Sequence, residues 1–305
     1  GYIDKKNVGK ASETTFDRNF EREQYSYLTM DGKVNMVWHQ VTSTDANAYF
    51  ADATANMTGV NVISPTWFYL LDTSGNIANI SSADYVAQAH EKGLKVWGLI
   101  DNFTQEVSTT ETLSSTAARQ NIISQLIQAA QDVGMDGINV DFESLSEDVG
   151  THFLEFLREL SIECHKNNLV LSVDNPVPED FTSHYDRAEQ GRVVDYVIIM
   201  GYDEHYSGSE PGSVASLSFE KEGIEATIAE GVPADKIISG VPFYTRLWKT
   251  DTNGEVSSEA IGMDRADDIL EANGVTANWS DETSQDYAEY HDPDGALYQI
   301  WLENE

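Results

Sequence analysis

The stretch Asp136-Gly-Ile-Asn-Val-Asp-Phe-Glu143 decides how the rest of the sequence is interpreted. Successive side chains of a β-strand point to opposite faces, so Asn139, Asp141 and Glu143 share one face while apolar residues occupy the other. At about 3.3 Å of rise per residue, the polar side chains climb towards the carboxyl end of the strand, where Glu143 is highest. The stretch therefore predicts a strand that carries a carboxylate to its carboxyl end.

If this strand is buried, its acidic residues are better explained by a function than by a structural role. Burial of a carboxylate lowers stability by several kcal/mol unless the group is paired or hydrogen bonded. Acidic side chains are therefore unfavourable in a protein core that has only a structural role. The alternative is an edge strand whose polar face is solvated, which an acidic composition alone could produce. Met135, Ile138 and Val140 instead indicate that the opposite face is buried.

From residue 33 onwards, short β-branched runs alternate with longer amphipathic stretches, and this order predicts a parallel sheet covered by helices. The candidate helices include Ser82–Lys92, Thr116–Val133 and Thr151–Asn167, which have apolar residues at helical spacing. The candidate strands are Val34–Val41, Gly59–Phe68, Leu94–Ile100, Met135–Phe142, Leu169–Val173, Val194–Met200 and Ile237–Pro242.

These β/α units favour the α/β class and a (β/α)8 TIM barrel, in which active sites lie at the carboxyl ends of the strands. The alternative is a doubly wound open sheet. A dinucleotide site on such a sheet needs a glycine-rich turn after the first strand, and none follows Val41.

The pattern changes after Pro242. Asp, Gly, Asn and Ser crowd residues 250–258, and a short helix near Ala266–Asn273 and strand-like stretches at Tyr287–Tyr290 and Ala296–Leu302 follow. We expect a small α+β insertion at residues 243–305 after the seventh strand. The eighth strand is then expected to be missing from this chain.

The first 30 residues are expected to lie outside the barrel, which would span residues 31–305. They are predicted to be a linker or the end of an upstream SH3-like, wall-binding module. Gly1–Val8 resembles the last strand of such a module, and Ser12, Glu13 and Thr14 are typical of a linker.

Composition excludes several classes of partner. The chain has 305 residues, with 18 Lys and Arg against 52 Asp and Glu, and its net charge of -34 would repel nucleic acid and anionic lipid. No stretch approaches the roughly 20 apolar residues of a membrane span. Cys164 is the only cysteine, which rules out a disulfide framework, and the seven His residues lack metal-ligand spacing. We expect no metal and no cofactor.

Three motifs resemble glycoside hydrolase family 18. Residues 136–143 are similar to the family's strand motif Asp-Gly-x-Asp-x-Asp-x-Glu, with Asn139 in place of the second Asp. Met200-Gly-Tyr-Asp203 resembles the family's Met-x-Tyr-Asp, and Gly240-Val-Pro-Phe-Tyr-Thr-Arg246 resembles its spore cortex-lytic subgroup. Tyr202–Tyr206 and Pro211–Leu217 are also similar to that subgroup.

The resemblance implies retaining, substrate-assisted hydrolysis. Glu143 would protonate the glycosidic oxygen, and the substrate's own 2-acetamido oxygen would attack the anomeric carbon. Asp141 would orient the acetamido N–H, and Tyr202 would hydrogen bond the acetamido oxygen.

The implied substrate is a glycan that carries N-acetyl at carbon 2, most of all peptidoglycan or another bacterial wall glycan. The alternatives are a chitinase that acts on chitin or chito-oligosaccharides and a non-catalytic, chitinase-like sugar-binding protein. An extracellular, cell-wall or spore-associated location is expected.

Asn139 departs from the family motif. In the usual pattern the first two interior Asp residues share a proton, whereas an amide cannot take one up. We therefore expect Asp141 to stay ionised to lower pH. Asp136, which opens the motif, is grouped with the catalytic residues.

The remaining candidates are substrate-binding residues. Met200, Asp203, Tyr244 and Arg246 come from the two later motifs and are expected at the acetyl-sugar pocket, with a surface ion pair as the alternative for Asp203 and Arg246. The ends of the second and third strands contribute Trp67 and Asp101, with core packing equally open for Trp67. The segment that begins at Trp301 resembles the end of the subgroup's insertion. Trp301 is therefore not assigned as the tryptophan that the family places on its eighth strand, at the floor of the sugar site.

Overall fold

The computed structural model describes Lys6, Gly9 and residues 25–303. Seven parallel strands curl into an incomplete barrel in the order β1-β2-β4-β5-β6-β7-β8, and β3 pairs with β2 in the antiparallel direction. The α/β barrel predicted from the sequence is confirmed. The strands are β1 (Met36–His39), β2 (Val62–Leu70), β3 (Ile77–Asn79), β4 (Lys95–Asp101), β5 (Gly137–Asp141), β6 (Val170–Pro176), β7 (Tyr196–Met200) and β8 (Ile237–Gly240).

Helices cover the outer face of this sheet. The helix α4 has the predicted bounds because the Ser115 side chain caps its first turn and Gly134, with φ at 78°, ends it. Within the described part of the chain, none of the helices has the length and apolar content that a membrane span needs. The helices are α1 (Phe50–Ala53), α2 (Ala83–Glu91), α3 (Thr109–Ser114), α4 (Thr116–Val133), α5 (Gly150–Lys166), α6 (Arg187–Val193) and α7 (Leu217–Glu230).

The outer face of β5 is buried beneath α5. Phe142 stacks on Phe156 with ring centroids 5.7 Å apart, and Phe153 packs beside it at 6.0 Å. Ile138 and Val140 are also fully buried. The edge-strand interpretation of this stretch is therefore wrong, because β5 has β4 on one side and β6 on the other.

The expected α+β insertion is present, and it contains more strands than the sequence indicated. It consists of β9 (Tyr244–Thr250), β10 (Val256–Gly262), α8 (Met263–Asn273), β11 (Asn278–Ser280), β12 (Gln285–His291) and β13 (Leu297–Leu302). The strands form an antiparallel sheet in the order β10-β9-β13-β12-β11, with a small apolar core of its own. Trp301 lies on β13, within this insertion.

The first two strands of the insertion were missed because their turn dominates the local composition. β9 and β10 pair over their whole length around a turn at Asp251, whose carboxylate accepts hydrogen bonds from the backbone N–H groups of Asn253 and Glu255. Gly254 supplies the positive φ of 87° that this turn requires.

The seventh strand of the barrel, β8, ends at Gly240, so Tyr244 and Arg246 belong to β9.

The barrel is open between β1 and β8. Among residues 25–303, no strand bridges these two edges, in agreement with the expected lack of an eighth strand. The gap forms a cavity of about 540 Å³, which is lined by the segments 34–38 and 238–244 and by Tyr202.

The segment 25–30 lies against the amino end of the barrel. The backbone N–H of Leu28 donates to Asp195 Oδ1 at 2.7 Å, and that of Met30 donates to the Tyr196 hydroxyl at 2.8 Å. The Lys236 ammonium lies 3.0 Å from the centroid of the Tyr27 ring. These residues, which the sequence assigns to a linker, therefore contact the barrel.

The rest of the predicted linker or module cannot be compared in the same way. The candidate strand at residues 1–8, apart from Lys6, and the candidate linker at residues 12–14 lie outside the described residues. The division of the chain at residue 30 stays a prediction.

Replacement of Asp195 tests this attachment. Asp195 is fully buried and also accepts a hydrogen bond from the backbone N–H of Leu171 at 2.8 Å. Asp195→Ala removes the acceptor of two backbone N–H groups, and we expect the free energy of unfolding to fall by about 2 to 4 kcal/mol in urea titrations. Asp72→Ala, in an exposed turn with similar backbone contacts, is the control and should change stability little. Equal losses for both variants would contradict this account.

Candidate active site

The interior of the barrel changes from apolar to acidic along the strands. Val62, Trp97 and Tyr196 pack together at the amino end. Near the carboxyl end, Asp101 on β4 is the direct cross-strand partner of Asp141 on β5. The register between β5 and β6 pairs Val140 with Val173, so the next pair in this register is Asp141 with Asp174. Three neighbouring strands thus carry a carboxylate at one level, which we call the aspartate row (Asp101, Asp141 and Asp174).

Asp174 was not predicted from the sequence, although the pattern of residues along β6 indicates that it faces the interior. It alternates with the apolar Leu171 and Val173 on β6, as an inward-facing residue would. Its carboxylate is buried and accepts two hydrogen bonds, from Asn139 Nδ2 to Oδ1 at 2.8 Å and from Trp38 Nε1 to Oδ2 at 3.2 Å. Both donors stabilise the ionised form of Asp174.

Asn139 is a structural partner of Asp174. The residue is fully buried, and its Oδ1 accepts hydrogen bonds from Ser64 Oγ and Trp38 Nε1, both at 3.1 Å. The amide therefore joins β1, β2 and β6 beneath the aspartate row. No hydrogen bond connects it to Asp141 within the described structure, where Oδ1 of Asp141 is buried without any hydrogen-bond partner.

The expected effect of Asn139 on Asp141 is wrong. Burial raises the pKa of Asp141, and the charges of Asp174, Glu143 and Asp101 raise it further. The expectation considered only the carboxylate that is lost at position 139. It failed because Asp141 is buried and because Asp174, on the next strand, supplies another carboxylate.

Glu143 lies just beyond the end of β5 and is held there by Asn102. The backbone N–H of Glu143 donates to Asn102 Oδ1 at 2.9 Å, and Asn102 Nδ2 donates to the carbonyl oxygen of Glu143 at 3.0 Å. Asn102 directly follows β4, so its side-chain amide replaces the next backbone pairing between β4 and β5. Asn102 was not predicted from the sequence, although its position next to Asp101 at a strand end was an available signal.

The environment of Glu143 favours its protonated form. Burial raises the pKa of Glu143, and the negative charges of Asp203 and Asp101 add to this effect. Because a general acid must carry a proton near the working pH, a raised carboxyl pKa suits that role.

Tyr202 follows β7. It lines the cavity between β1 and β8 and also a second cavity, which lies next to Glu143. Its ring is in edge contact with Trp38 and Tyr244, with centroid distances of 6.4 Å in both cases. Burial raises the pKa of Tyr202, and the charges of Asp174, Asp141 and Glu143 raise it further. Its hydroxyl therefore keeps its proton and can donate a hydrogen bond.

The insertion supplies one wall of the site. From β9, the Tyr244 hydroxyl donates to Asp203 Oδ1 at 2.6 Å, while Arg246 Nη2 lies 3.9 Å from the same oxygen. Arg246 Nη1 also donates to Ser258 Oγ on β10 at 3.1 Å. The ion pair that was the alternative role for Asp203 and Arg246 exists, and it lies beside the site.

A cavity of about 460 Å³ opens next to Glu143. Met200, Tyr202 and Asp203 line it together with Phe181 and Tyr206, whose side chains are 76% and 56% exposed. Carboxylates beside exposed aromatic faces suit a sugar, which offers hydroxyl groups and an apolar ring face. Phe181 was not among the residues predicted from the sequence.

Trp67 does not belong to the site. It is fully buried, its Nε1 donates to Asn47 Oδ1 at 2.8 Å, and its ring packs against Tyr85 of α2. Trp67 was predicted to close the second strand, but β2 continues to Leu70. The predicted sugar contact of Trp67 is wrong, because its faces are covered by the core.

Asp136 is also not catalytic. It precedes β5 at the amino end of the barrel, where its carboxylate accepts hydrogen bonds from Lys95 Nζ at 2.8 Å and from the backbone N–H of Val96 at 2.9 Å. His90 Nε2 lies 2.7 Å from Oδ2. Asp136 ties β4 and α2 to β5 at the end of the strand opposite Glu143, so its predicted catalytic role is wrong.

The acidic side chains of the described residues do not have a metal-binding arrangement. Among residues 25–303, no group of three or more His, Cys, Asp or Glu has an arrangement that could hold a metal ion. The site thus offers acid–base and hydrogen-bonding groups from the ends of β4, β5, β6 and β7 and from β9.

Comparison with known proteins agrees with this geometry. The sequence profile of the family Glycosyl hydrolases family 18 matches residues 8–304, almost the whole chain. The chain belongs to glycosyl hydrolase family 18. The incomplete parallel barrel described above is thus the fold of a family 18 glycosidase.

Relatives of this family 18 glycosidase include two proteins of Bacillus subtilis. A candidate sporulation-specific glycosylase of Bacillus subtilis, YdhD, is 29% identical over 245 residues, which cover 77% of this chain and 58% of YdhD. The cortical fragment-lytic enzyme of Bacillus subtilis is 24% identical over 199 residues, which cover 63% of this chain and 46% of that enzyme. The chain thus spans about half the length of these two curated relatives.

A solved structure has the same fold. The C-terminal domain of a chitinase candidate from Desulfitobacterium hafniense superimposes with a TM-score of 0.81 at 23% identity, and the match covers 90% of this chain and 87% of the other.

Removal of the Asn102 amide tests whether it positions Glu143. In Asn102→Ala, we expect kcat to fall on the order of 10- to 100-fold with KM little changed, because a small displacement of a catalytic group lowers the rate without weakening binding. Steady-state kinetics on chito-oligosaccharides would measure both constants. Asn121→Ala is the control, since Asn121 also bridges two segments, by donating to the carbonyl of Ser74, but lies on α4. A change in KM alone would contradict a positioning role.

Proposed function

We propose that this family 18 glycosidase is a retaining, substrate-assisted hydrolase of glycans that contain N-acetylglucosamine. The observation that carries the proposal is the position of Glu143, which the Asn102 amide holds just beyond the carboxyl end of β5, two residues after Asp141. Burial and the nearby Asp203 and Asp101 raise the pKa of Glu143. An acid in this position, above a second carboxyl group, suits cleavage of a glycosidic bond in two steps.

In the first step, Glu143 donates its carboxyl proton to the glycosidic oxygen. The bond between that oxygen and the anomeric carbon breaks as the carbonyl oxygen of the substrate's own acetamido group bonds to the same carbon. The resulting oxazolinium ion carries a positive charge, which an ionised Asp141 would stabilise by accepting the acetamido N–H. Tyr202 would donate its hydroxyl hydrogen to the acetamido oxygen and hold it in line.

In the second step, the carboxylate of Glu143 takes a proton from water. The oxygen of that water bonds to the anomeric carbon as the bond to the acetamido oxygen breaks. Two inversions at one carbon give overall retention. Asp203, Met200, Tyr244, Arg246 and Asp101 are proposed to contact the sugar around this centre.

A bacterial wall glycan such as peptidoglycan is the substrate class that we favour. The support comes from the cortical fragment-lytic enzyme and the sporulation-specific YdhD among the relatives, and from the motifs that resemble this subgroup. Chitin is the alternative, because it carries the same acetamido group. An extracellular, cell-wall or spore-associated location and an upstream wall-binding module are part of the same proposal.

A non-catalytic sugar-binding protein is the rival from another functional class. Such a protein needs aromatic faces but no acid with a raised pKa. The raised pKa of Glu143 and the buried carboxylate of Asp174 beneath it argue against a purely binding role, since burial of Asp174 costs stability that binding would not require.

Glu143→Gln separates hydrolysis from binding. The amide keeps the shape of the side chain but cannot donate a carboxyl proton, so we expect the rate on chito-oligosaccharides and on muropeptides to fall by about 100- to 10,000-fold. Chromatography of the products measures it. Glu163→Gln, on the exposed face of α5, is the matched control. If neither the parent protein nor the variant releases products but both bind the oligosaccharides, the sugar-binding alternative is correct.

The acetamido group of the substrate provides a separate test. Chito-oligosaccharides should be cleaved, whereas cello-oligosaccharides of equal length, which carry a hydroxyl at carbon 2, should not be, because they bring no internal nucleophile. Proton NMR of the fresh products should show the β-anomer first. An α-anomer as the first product would rule out retention.

A further inference from the structure

Asp174 is the buried acid that the mechanism above does not use. On the basis of the proposed hydrolase function, we infer that Asp174 shares one proton with Asp141 and receives that proton when substrate binds. In this way Asp174, on β6, replaces the carboxylate that position 139 of β5 lacks.

The backbone register brings the two carboxyl groups together. Neighbouring strands lie about 4.8 Å apart, and residues that are paired in register point to the same face. Asp141 and Asp174 continue the pairing of Val140 with Val173, and both face the interior of the barrel. The charge of Asp174 raises the pKa of Asp141. Two carboxylates that repel each other in a buried site do not both ionise readily, so the pair holds one proton over a wide pH range.

The hydrogen bonds decide which of the two acids carries this proton at rest. Both oxygens of Asp174 accept from N–H donors, Asn139 Nδ2 at 2.8 Å and Trp38 Nε1 at 3.2 Å. Neither donor can take up a proton, and both favour the anion of Asp174. Asp141 Oδ1, by contrast, is buried with no hydrogen-bond partner among the described residues, an arrangement that favours the neutral acid.

The groups around the pair act in the same direction. Asp101 from β4 and Glu143 beyond β5 face Asp141, and the phenols of Tyr202 and Tyr185 approach it from β7 and from the segment before α6. Each of these titratable groups is an acid. Burial raises the pKa of both Asp141 and Asp174, and the negative neighbours of Asp141 raise its pKa further.

Proton sharing solves a problem of the proposed mechanism. Asp141 must be an anion when it accepts the acetamido N–H, but at rest it is the neutral acid. If the O–H bond of Asp141 breaks as an O–H bond forms on Asp174, the charge of the pair stays at −1 and no proton leaves the site. Asp174 therefore lets Asp141 become charged without release of a proton to water, and it acts as a positioning residue that never touches the sugar.

Asp174→Asn tests this inference through the pH dependence of kcat. The parent protein has an acid limb set by the first dissociation of the pair, which is lower than that of an isolated buried acid. In the variant, Asp141 must lose its proton to solvent, so the acid limb should move to higher pH by about one unit or more, with KM little changed. A uniform loss of rate with an unmoved acid limb would overturn the inference, because it would show a structural role.

The double variant Asn139→Asp/Asp174→Asn returns a carboxylate to the neighbourhood of Asp141 from β5 instead of β6. Its acid limb should move back towards that of the parent protein. A limb that stays with the single variant would contradict proton sharing.

Trp38→Phe, which removes one hydrogen-bond donor from Asp174, should also move the acid limb to higher pH and serves if Asp174→Asn does not fold. Asp195→Asn is the matched control for loss of a buried carboxylate and should leave the limb in place.

Carbon-13 NMR titration of the Asp carboxyl carbons gives a readout that needs no activity. The pair should titrate in two well-separated steps in the parent protein, and Asp141 should titrate in one intermediate step in Asp174→Asn. Identical titration of Asp141 in both proteins would overturn the inference. If the parent protein cleaves no glycan at any pH, the hydrolase proposal fails, while the titration still decides whether the proton is shared.

Discussion

The rest of the site depends on one constraint, the burial of neighbouring carboxylates inside a sheet. Asp101, Asp141 and Asp174 occupy one level of three adjacent strands, where each ionised group raises the cost of ionising the next. Hydrogen-bond donors, and not cationic side chains, lower this cost. Trp38 and Asn139 stabilise one anion, and the remaining protons stay on the neighbours. The raised pKa of Glu143 follows from the same concentration of acidic groups.

The position of β5 in the sheet explains why this arrangement survives in an incomplete barrel. β5 is the central strand of the seven, with three parallel strands on each side, so its neighbours are in place whether or not the edges are joined. The open edges, β1 and β8, are the strands furthest from it. Trp38 and Tyr202 lie on the side of the gap, and they connect the edge of the barrel to the aspartate row.

The insertion is part of the site and not an appendage to the barrel. β8 stops at Gly240, and the chain re-enters a sheet at Tyr244, so two residues of the site stand on a strand that belongs to another core. The hydrogen bond between Tyr244 and Asp203 links this second sheet to the loop after β7. Asp203 has a φ of 59°, a conformation that non-glycine residues seldom adopt and that the contact with Tyr244 helps to hold.

Much of this architecture could be predicted from local patterns. Alternation along β5 assigned Asn139, Asp141 and Glu143 to the interior, and the caps of α4 set its bounds to the residue. Local patterns were misleading where the end of a strand matters. Trp67 lies within β2, which runs on to Leu70, and faces the helices as Ile63 does, and Asp136 belongs to the motif but precedes the strand.

The sequence by itself determined the order of strands and helices, the inward face of β5, the acidic character of the site and the presence of an insertion. Each of these follows from the period of side chains along one segment of chain. Only the tertiary structure decided which acids are neighbours. Asp101, Asp141 and Asp174 come together because the registers of β4 with β5 and of β5 with β6 align them, and register is a relation between segments that are distant in the chain. The protonation of Asp141, and with it the meaning of Asn139, depends on that alignment.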